Sequence, residues 1–356
     1  MLDRLTLLRQ SISDLNLTVF LISSTSHLRY LFGFTGSNGI GLITSGQSFF
    51  VTDWRYREQA KQEVRDAEIL VAFRDLFGAL KERGLLSSSE RLGFESHHLN
   101  FRMFSHLRKT FPHLRLVATE YVVEKIAARK FPAEIESFRR AAAISARVWD
   151  EVLPLLKPGV RESEIAAEIV YRGRRLGADR EAFEPIVASG WRAALPHGLS
   201  SHKPLASGEM VVIDFGFIVE GYPSDITRTI AVGKPSLSLR NAYDAVYHAN
   251  QLARETIRPG YKGLELDKVV RDYLISQGLG EAFSHSLGHG LSIELHSLPR
   301  LGPTSEDLIP AGAVVTLEPG VYLAGEGGVR IEDDVLVTET GGDTLTAIPR
   351  ELICVG

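Results

Sequence analysis

The sequence predicts two domains, an α/β domain at the N-terminus followed by an α+β domain. Three observations point there. The 356 residues exceed what one hydrophobic core usually organises. As far as about Tyr121, short helical and strand patterns alternate. From Val187 onward, β-branched runs dominate and form two long hairpins around a helical middle.

Taken in order, the pattern opens at Leu2 with an amphipathic, Leu-rich helix, followed by a strand at Leu17 to Ile22 and paired strands at Ile40 to Thr44 and Phe49 to Thr52. Further strands are expected near Ile69 to Phe73, Leu92 to Glu95 and Leu114 to Ala118, with helices between them. A helix begins near Pro132, where an early proline and the acids Glu134 and Glu136 suit a helix N-terminus. The domain boundary therefore falls between Val122 and Phe131, giving domains 1–126 and 127–356. The second domain starts with helices Ala133 to Leu156 and Ser163 to Leu176, separated by Lys157-Pro158-Gly159. Its first hairpin pairs Val211 to Ile218 with Ser224 to Val232 through Glu220-Gly221. The second pairs Val314 to Tyr322 with Val329 to Thr338 through Gly325, Gly327 and Gly328, and helix fills Leu237 to Gln277 between them.

Composition narrows the class. An apolar fraction of 44% and a charged fraction of 24% describe an ordinary globular chain. A formal charge of −4 offers no pull toward nucleic acid or anionic lipid. The one cysteine, Cys354, can form no intrachain disulfide and suits a reducing compartment. Asp3, Arg4, Arg9 and Asp14 interrupt any secretory apolar region, and the uncharged run Leu15 to Leu28 is too short to span a bilayer. A cytoplasmic enzyme with no membrane partner is expected.

The chemistry concentrates in the hairpins. In D-F-G-F-I-V-E-G-Y-P-S-D, Asp214 and Asp225 stand eleven positions apart on adjacent strands, and Glu318 and Glu332 repeat the arrangement fourteen apart. Each acid sits within an apolar strand, where an unpaired buried charge costs several kcal/mol or more. A solvent-facing position, or pairing with Arg228 and Arg330, would explain one such acid alone. Four acids beside a histidine cluster are a different matter: around a neutral imidazole they carry four negative charges, which two divalent cations cancel. The segment F-S-H-S-L-G-H-G-L-S-I-E-L-H supplies His285, His289 and His296 at spacings of four and seven. Gly288 and Gly290 flank the middle histidine, as if to let backbone approach a ligand. His197 lies upstream of the first hairpin as a fourth candidate. The other histidines show no ligand spacing to one another.

The motifs D-x-G-x(4)-G-Y-x-S-D-x-T-R-T, G-H-G, E-P-G and G-V-R-I-E-D-D-V together resemble the creatinase and methionine aminopeptidase superfamily, with its pita-bread fold. Y-L-F-G-F-T-G-S from Tyr30 and V-T-D-W-R-Y-R-E-Q-A from Val51 are similar to the N-terminal domain of its Xaa-Pro dipeptidases and Xaa-Pro aminopeptidases. The resemblance implies a dinuclear peptidase cleaving the Xaa-Pro bond, with Asp214 on one ion, His289 and Glu318 on the other, and Asp225 and Glu332 bridging. It implies a hydroxide nucleophile, an oxyanion partner in His296, assistance from His197, and Glu318 as proton shuttle to the leaving nitrogen. Four carboxylates and one imidazole suit manganese first, with cobalt or zinc as alternatives. His285 would line the proline pocket, and Arg330 would join the substrate-binding set. Arg300, four positions after His296, would bind the free carboxylate of a dipeptide, making dipeptides the better substrates. An aminopeptidase acting on longer peptides is the alternative. A catalytically silent peptide-binding module and a metal-independent amidinohydrolase are both disfavoured by the intact ligand set. Relatives commonly read G-H-G-x-G and H-E-x-P, whereas this chain has Ser292 and Ser297 at the third glycine and the glutamate. The resemblance also implies a homodimer in which Asp53 to Tyr56 of one subunit closes the active site of the other.

Overall fold

The computed structural model describes residues 3–88 and 90–356. The expected start of the pattern at Leu2 lies outside them. The chain forms two compact units, Met1–Ile126 and Ala127–Gly356.

The first unit runs α1 (Arg4–Asp14), β1 (Val19–Ile22), α2 (Thr25–Phe32), β2 (Ile40–Thr44), β3 (Ser48–Asp53), α3 (Arg57–Glu63), β4 (Glu68–Ala72), α4 (Leu76–Glu82), β5 (Arg91–Glu95), α5 (Phe101–Thr110), β6 (Arg115–Thr119) and α6 (Val122–Ala127). Its six strands form one mixed sheet in the order β4-β3-β2-β1-β5-β6. β1 is buried at every residue, so its V-F-L-I run reads as continuously apolar, as expected of a strand covered on both faces. Val19, Leu21, Leu42, Val51 and Leu92 pack with Phe77, Leu80 and Leu107 of α4 and α5. Local caps set the helix starts: Asp3 accepts from Thr6 N–H and Asn100 from Met103 N–H.

The second unit continues with α7 (Pro132–Val152), α8 (Glu162–Arg175), β7 (Arg180–Glu181), β8 (Ile186–Ser189), β9 (Met210–Phe215), β10 (Phe217–Val219), β11 (Tyr222–Pro223) and β12 (Ile226–Val232). There follow α9 (Leu237–Thr256), α10 (Gly263–Ser276), β13 (Gly288–Leu291), β14 (Ser297–Leu301), β15 (Val314–Leu317), β16 (Gly320–Leu323), β17 (Gly327–Arg330), β18 (Asp333–Val337), β19 (Gly342–Thr344) and β20 (Cys354–Val355). The strands form sheets β20-β12-β9-β8 and β14-β13-β15-β18-β19, with smaller sheets β11-β10-β7 and β16-β17. α9 and α10 bury Val246, Ala249, Leu266 and Val270 against Val315, Leu317, Val329 and Val335. α7 and α8 cover Val187, Val211, Ile213 and Ile230. This α+β arrangement matches the expected class. Among the described residues, no helix is long and apolar enough to cross a membrane.

Each expected long hairpin is interrupted. β9 pairs with β12, while β10 leaves that sheet to pair with β11 and β7. Gly216 stands at the break, where a Cβ would lie 1.8 Å from the Ser224 carbonyl oxygen. Glu220 and Gly221 then turn the ribbon with φ of 51° and 92°, a pairing suited to a tight two-residue hairpin loop. The second ribbon breaks in the same way: β15 pairs with β18, and beyond Glu318-Pro319 β16 pairs with β17.

Candidate metal centre

Those breaks position the acids. Asp214 is the penultimate residue of β9, facing Thr227 across the ladder, and Asp225 sits just before β12. Glu318 and Glu332 occupy the two sides of the second break. The two ribbons meet where Glu332 N–H donates to the Thr227 carbonyl (3.0 Å) and Arg330 N–H to Thr229 Oγ1 (3.0 Å). From α9, the fully buried Asn250 amide donates to the carbonyls of Leu317 (3.1 Å) and Ile331 (3.3 Å), each immediately before a site glutamate.

The result is a tight cluster. One carboxylate oxygen from each of Asp214, Asp225 and Glu332 lies within 4.8 Å of the others, and all three residues are buried. His289 Nε2 lies 3.7 Å from both Asp225 Oδ2 and Glu318 Oε1. Two ligands about 2.1 Å from a shared ion stand roughly 3 to 4 Å apart, so these separations suit a common ion. His289 Nδ1 lies 3.1 Å from the Gly290 carbonyl, which can only accept. The proton therefore sits on Nδ1, and the Nε2 lone pair faces the carboxylates.

The electrostatics point the same way. Burial and then the neighbouring Glu332 push the Asp225 carboxyl well above its ordinary value, and burial and then Glu318 do so for Glu332. Burial raises Glu318 to about 8 and raises Asp214 despite the Arg330 guanidinium beside it. Burial, followed by His296, lowers His289 to about 4, leaving it a neutral ligand. Four carboxylates in this space cannot all ionise without cations. Asp214 Oδ1 is buried with no hydrogen-bond partner, the orphaned acceptor a metal would satisfy. The donor set thus fits divalent metal.

The comparisons with known proteins agree. Residues 136–339 match the model of metallopeptidase family M24, and residues 4–127 match the creatinase/prolidase N-terminal domain. The chain belongs to metallopeptidase family M24. It is 40% identical over 346 residues to the uncharacterized peptidase YqhT of Bacillus subtilis, covering 97% of this chain and 98% of that one. A solved Xaa-Pro dipeptidase from Bacillus anthracis superposes with a TM-score of 0.94 at 37% identity, with 99% of each chain covered. An X-Pro aminopeptidase from Thermotoga maritima superposes at 0.87 and 34% identity, covering 97% of this chain and 100% of that one.

The other expected site residues of this M24 peptidase fall at different depths. The His296 ring packs 4.3 Å from that of His289, and burial lowers its pKa. His197 is exposed, in the turn after Gly190–Ala194, and stands close enough to Asp214, His285 and His296 to influence each electrostatically. His285 Nε2 accepts from the Tyr322 hydroxyl at 2.9 Å, and burial lowers its pKa to about 4.

Three findings differ from the sequence-based expectations. Arg330 spends its donors within the protein: on Asp214 Oδ2 (2.6 Å), Tyr322 Oη (2.8 Å), Thr227 Oγ1 (3.0 Å) and the Pro196 carbonyl (3.1 Å). It therefore enters the charge count and orders the side chains around it. Arg300 lies opposite His289 in the β13–β14 ladder, yet its exposed guanidinium forms a bidentate pair with Asp307 (2.8 and 3.0 Å). Gly288 and Gly290 serve strand packing: a Cβ on either would lie 2.1 Å from a carbonyl oxygen, of Thr316 and Leu298 respectively.

Several partners were not foreseen. Thr227 Oγ1 donates to Glu332 Oε2 (2.6 Å), and Asp334 Oδ2 accepts from Asp225 N–H (3.1 Å). Thr316 Oγ1 accepts from His289 N–H (3.1 Å) and lies 3.4 Å from Glu318 Oε1. Tyr322 links Arg330 to His285. Its place inside V-Y-L gave no signal beyond an ordinary strand aromatic.

Proposed function

We propose that this M24 peptidase hydrolyses the Xaa-Pro bond, preferably of dipeptides, at a dinuclear centre that takes manganese before cobalt or zinc. The convergence of buried Asp214, Asp225 and Glu332 with the partly buried His289 and Glu318 into one cluster carries the reading, supported by the likeness to the Bacillus anthracis dipeptidase. Asp214 would hold one ion, His289 and Glu318 the other, and Asp225 and Glu332 would lie between them. Bound divalent cations polarise a carbonyl and make water a nucleophile at neutral pH. Arg330 reduces the four negative charges to three, so two divalent cations leave one positive charge for an anionic nucleophile or a substrate carboxylate. With cations bound Glu318 is a carboxylate beside the His289 imidazole, and as such it is suited to take a proton from water and pass it to the proline nitrogen. His296 and His197 would donate ring N–H groups toward the carbonyl oxygen as negative charge develops there. His285, fixed by Tyr322, would line the proline pocket.

Arg300 would bind the dipeptide carboxylate by exchanging Asp307 for substrate. That exchange reduces the gain, because one bidentate carboxylate replaces another. The same pair favours, as the second reading, an aminopeptidase acting on longer peptides. A homodimer and a cytoplasmic location complete the proposal. Trp54 supports a partner contact: its neighbour Asp53 is clamped by Arg55 and Asn38, and the indole is 64% exposed. Assays of Xaa-Pro dipeptides against Xaa-Pro-Xaa tripeptides with manganese should show dipeptides turned over about tenfold or more faster. A preference for tripeptides would select the aminopeptidase, and cleavage indifferent to proline would remove both readings.

A further inference from the structure

A second cluster of metal-ligating side chains lies in the first unit. His27 comes from the first turn of α2, His98 from the turn after β5, and Glu124 from α6. One ring nitrogen of each histidine and one carboxylate oxygen of Glu124 lie within 4.8 Å of one another. His98 Nε2 is 3.7 Å from Glu124 Oε1, and the two imidazole rings meet edge-to-face with centroids 5.0 Å apart.

The surroundings are built as a ligand shell is built. His27 Nδ1 is bonded to Glu95 Oε1, and Glu95 is fixed in turn by Ser23 N–H (2.6 Å) and Ser24 N–H (2.9 Å) on its other oxygen. A carboxylate behind a histidine sets the tautomer, places the proton on Nδ1 and raises the basicity of Nε2. His27 and Glu95 are buried, whereas His98 is partly open, beside a small cavity lined by Ser96, His97, Tyr121 and Glu124. A small ion has a path in.

Charge decides between metal and protons. Glu95 and Glu124 bring two negative charges, which one divalent cation neutralises. Two protons placed on the imidazoles would instead set two cationic rings 5.0 Å apart, where they repel.

We infer that His27, His98 and Glu124 form a second metal site, holding one divalent transition cation of the zinc class, with water completing its coordination. Two imidazoles and one carboxylate match such an ion in type and number. The site ties α2, the β5–α5 turn and α6 together, and its role is structural. It shares no residue with the catalytic centre and does not depend on the reaction proposed above.

The test is a metal count on the full-length protein. After equilibration with Zn2+ and removal of loose metal by gel filtration, His98→Ala and Glu124→Gln should each retain one equivalent of zinc fewer than wild type, with manganese-supported peptidase activity kept within about twofold. A second readout guards against simple misfolding. In an Asp225→Asn/Glu332→Gln protein, Zn2+ should still raise the Tm, and adding His98→Ala should abolish that rise. Equal zinc content in wild type and both single variants would overturn the site. So would a Zn2+-induced Tm rise that survives His98→Ala, leaving a proton-bridged His–Glu network as the description.

Discussion

His285 shows how much a single side chain is set by its neighbours. Its Nδ1–H donates to the Ser286 carbonyl (2.7 Å), its Nε2 accepts from Tyr322, and burial holds its pKa near 4. The folded value lies below the ordinary 6.5, so between pH 6.5 and pH 4 the unfolded chain binds more protons. Stability is therefore lost as pH falls through that window, by on the order of 2 kcal/mol from this group. His285→Gln keeps an acceptor for Tyr322 without the titration. Urea unfolding of the metal-free protein at pH 7 and pH 4.5 should show a stability loss about 2 kcal/mol smaller in the variant. The same loss in both proteins would remove His285 from the acid response. At this scale the grouping of the acids with His289 was legible in sequence, because acids inside apolar strands need a shared partner and the motifs around them mark where they stand. Tyr322 was not legible as a partner, and Arg330 was legible only as an option for any one of the acids. The Arg330–Asp214 bond joins residues 116 apart, and no local pattern records such a closure.

At the scale of elements, β13 is held by close backbone approach at its two glycines as well as by the packing of Leu291. Gly290 sits where the β13–β14 register shifts, and an added Cβ would meet the Leu298 carbonyl at 2.1 Å. Backbone cannot yield as a side-chain end can. Gly290→Ala should thus destabilise the protein by about 2 to 3 kcal/mol and displace His289, lowering metal retention. Gly46→Ala, which meets nothing within 4 Å, should change stability by less than about 0.5 kcal/mol. Thermal unfolding of the two variants side by side checks the contrast, and equal Tm values would contradict it. Most element positions were readable from periodicity and turn residues, including α7 at Pro132 and β2 at Ile40–Thr44. The hairpin breaks were not. A ribbon that changes sheets keeps its apolar alternation, and only the partner strands reveal the switch. Those breaks place the acids, so the feature that builds the site was the one sequence left hidden.

At the scale of the whole molecule, the two-part organisation was readable from the change in strand pattern, while assembly is a matter of surfaces. If Asp53 to Tyr56 contacts a partner subunit, light scattering should give twice the chain mass for active enzyme, and Trp54→Ala should shift it toward monomer. A fully active monomer would refute the homodimer. The central claim is that the buried cluster in the second unit works only with metal. It is tested most directly by stripping the protein with chelator and restoring manganese while metal content and Xaa-Pro dipeptide hydrolysis are followed together. Activity should vanish on chelation and return in proportion to manganese bound, and Asp225→Asn should recover neither full metal content nor turnover. Undiminished hydrolysis by the stripped protein, or full activity in Asp225→Asn, would contradict the account.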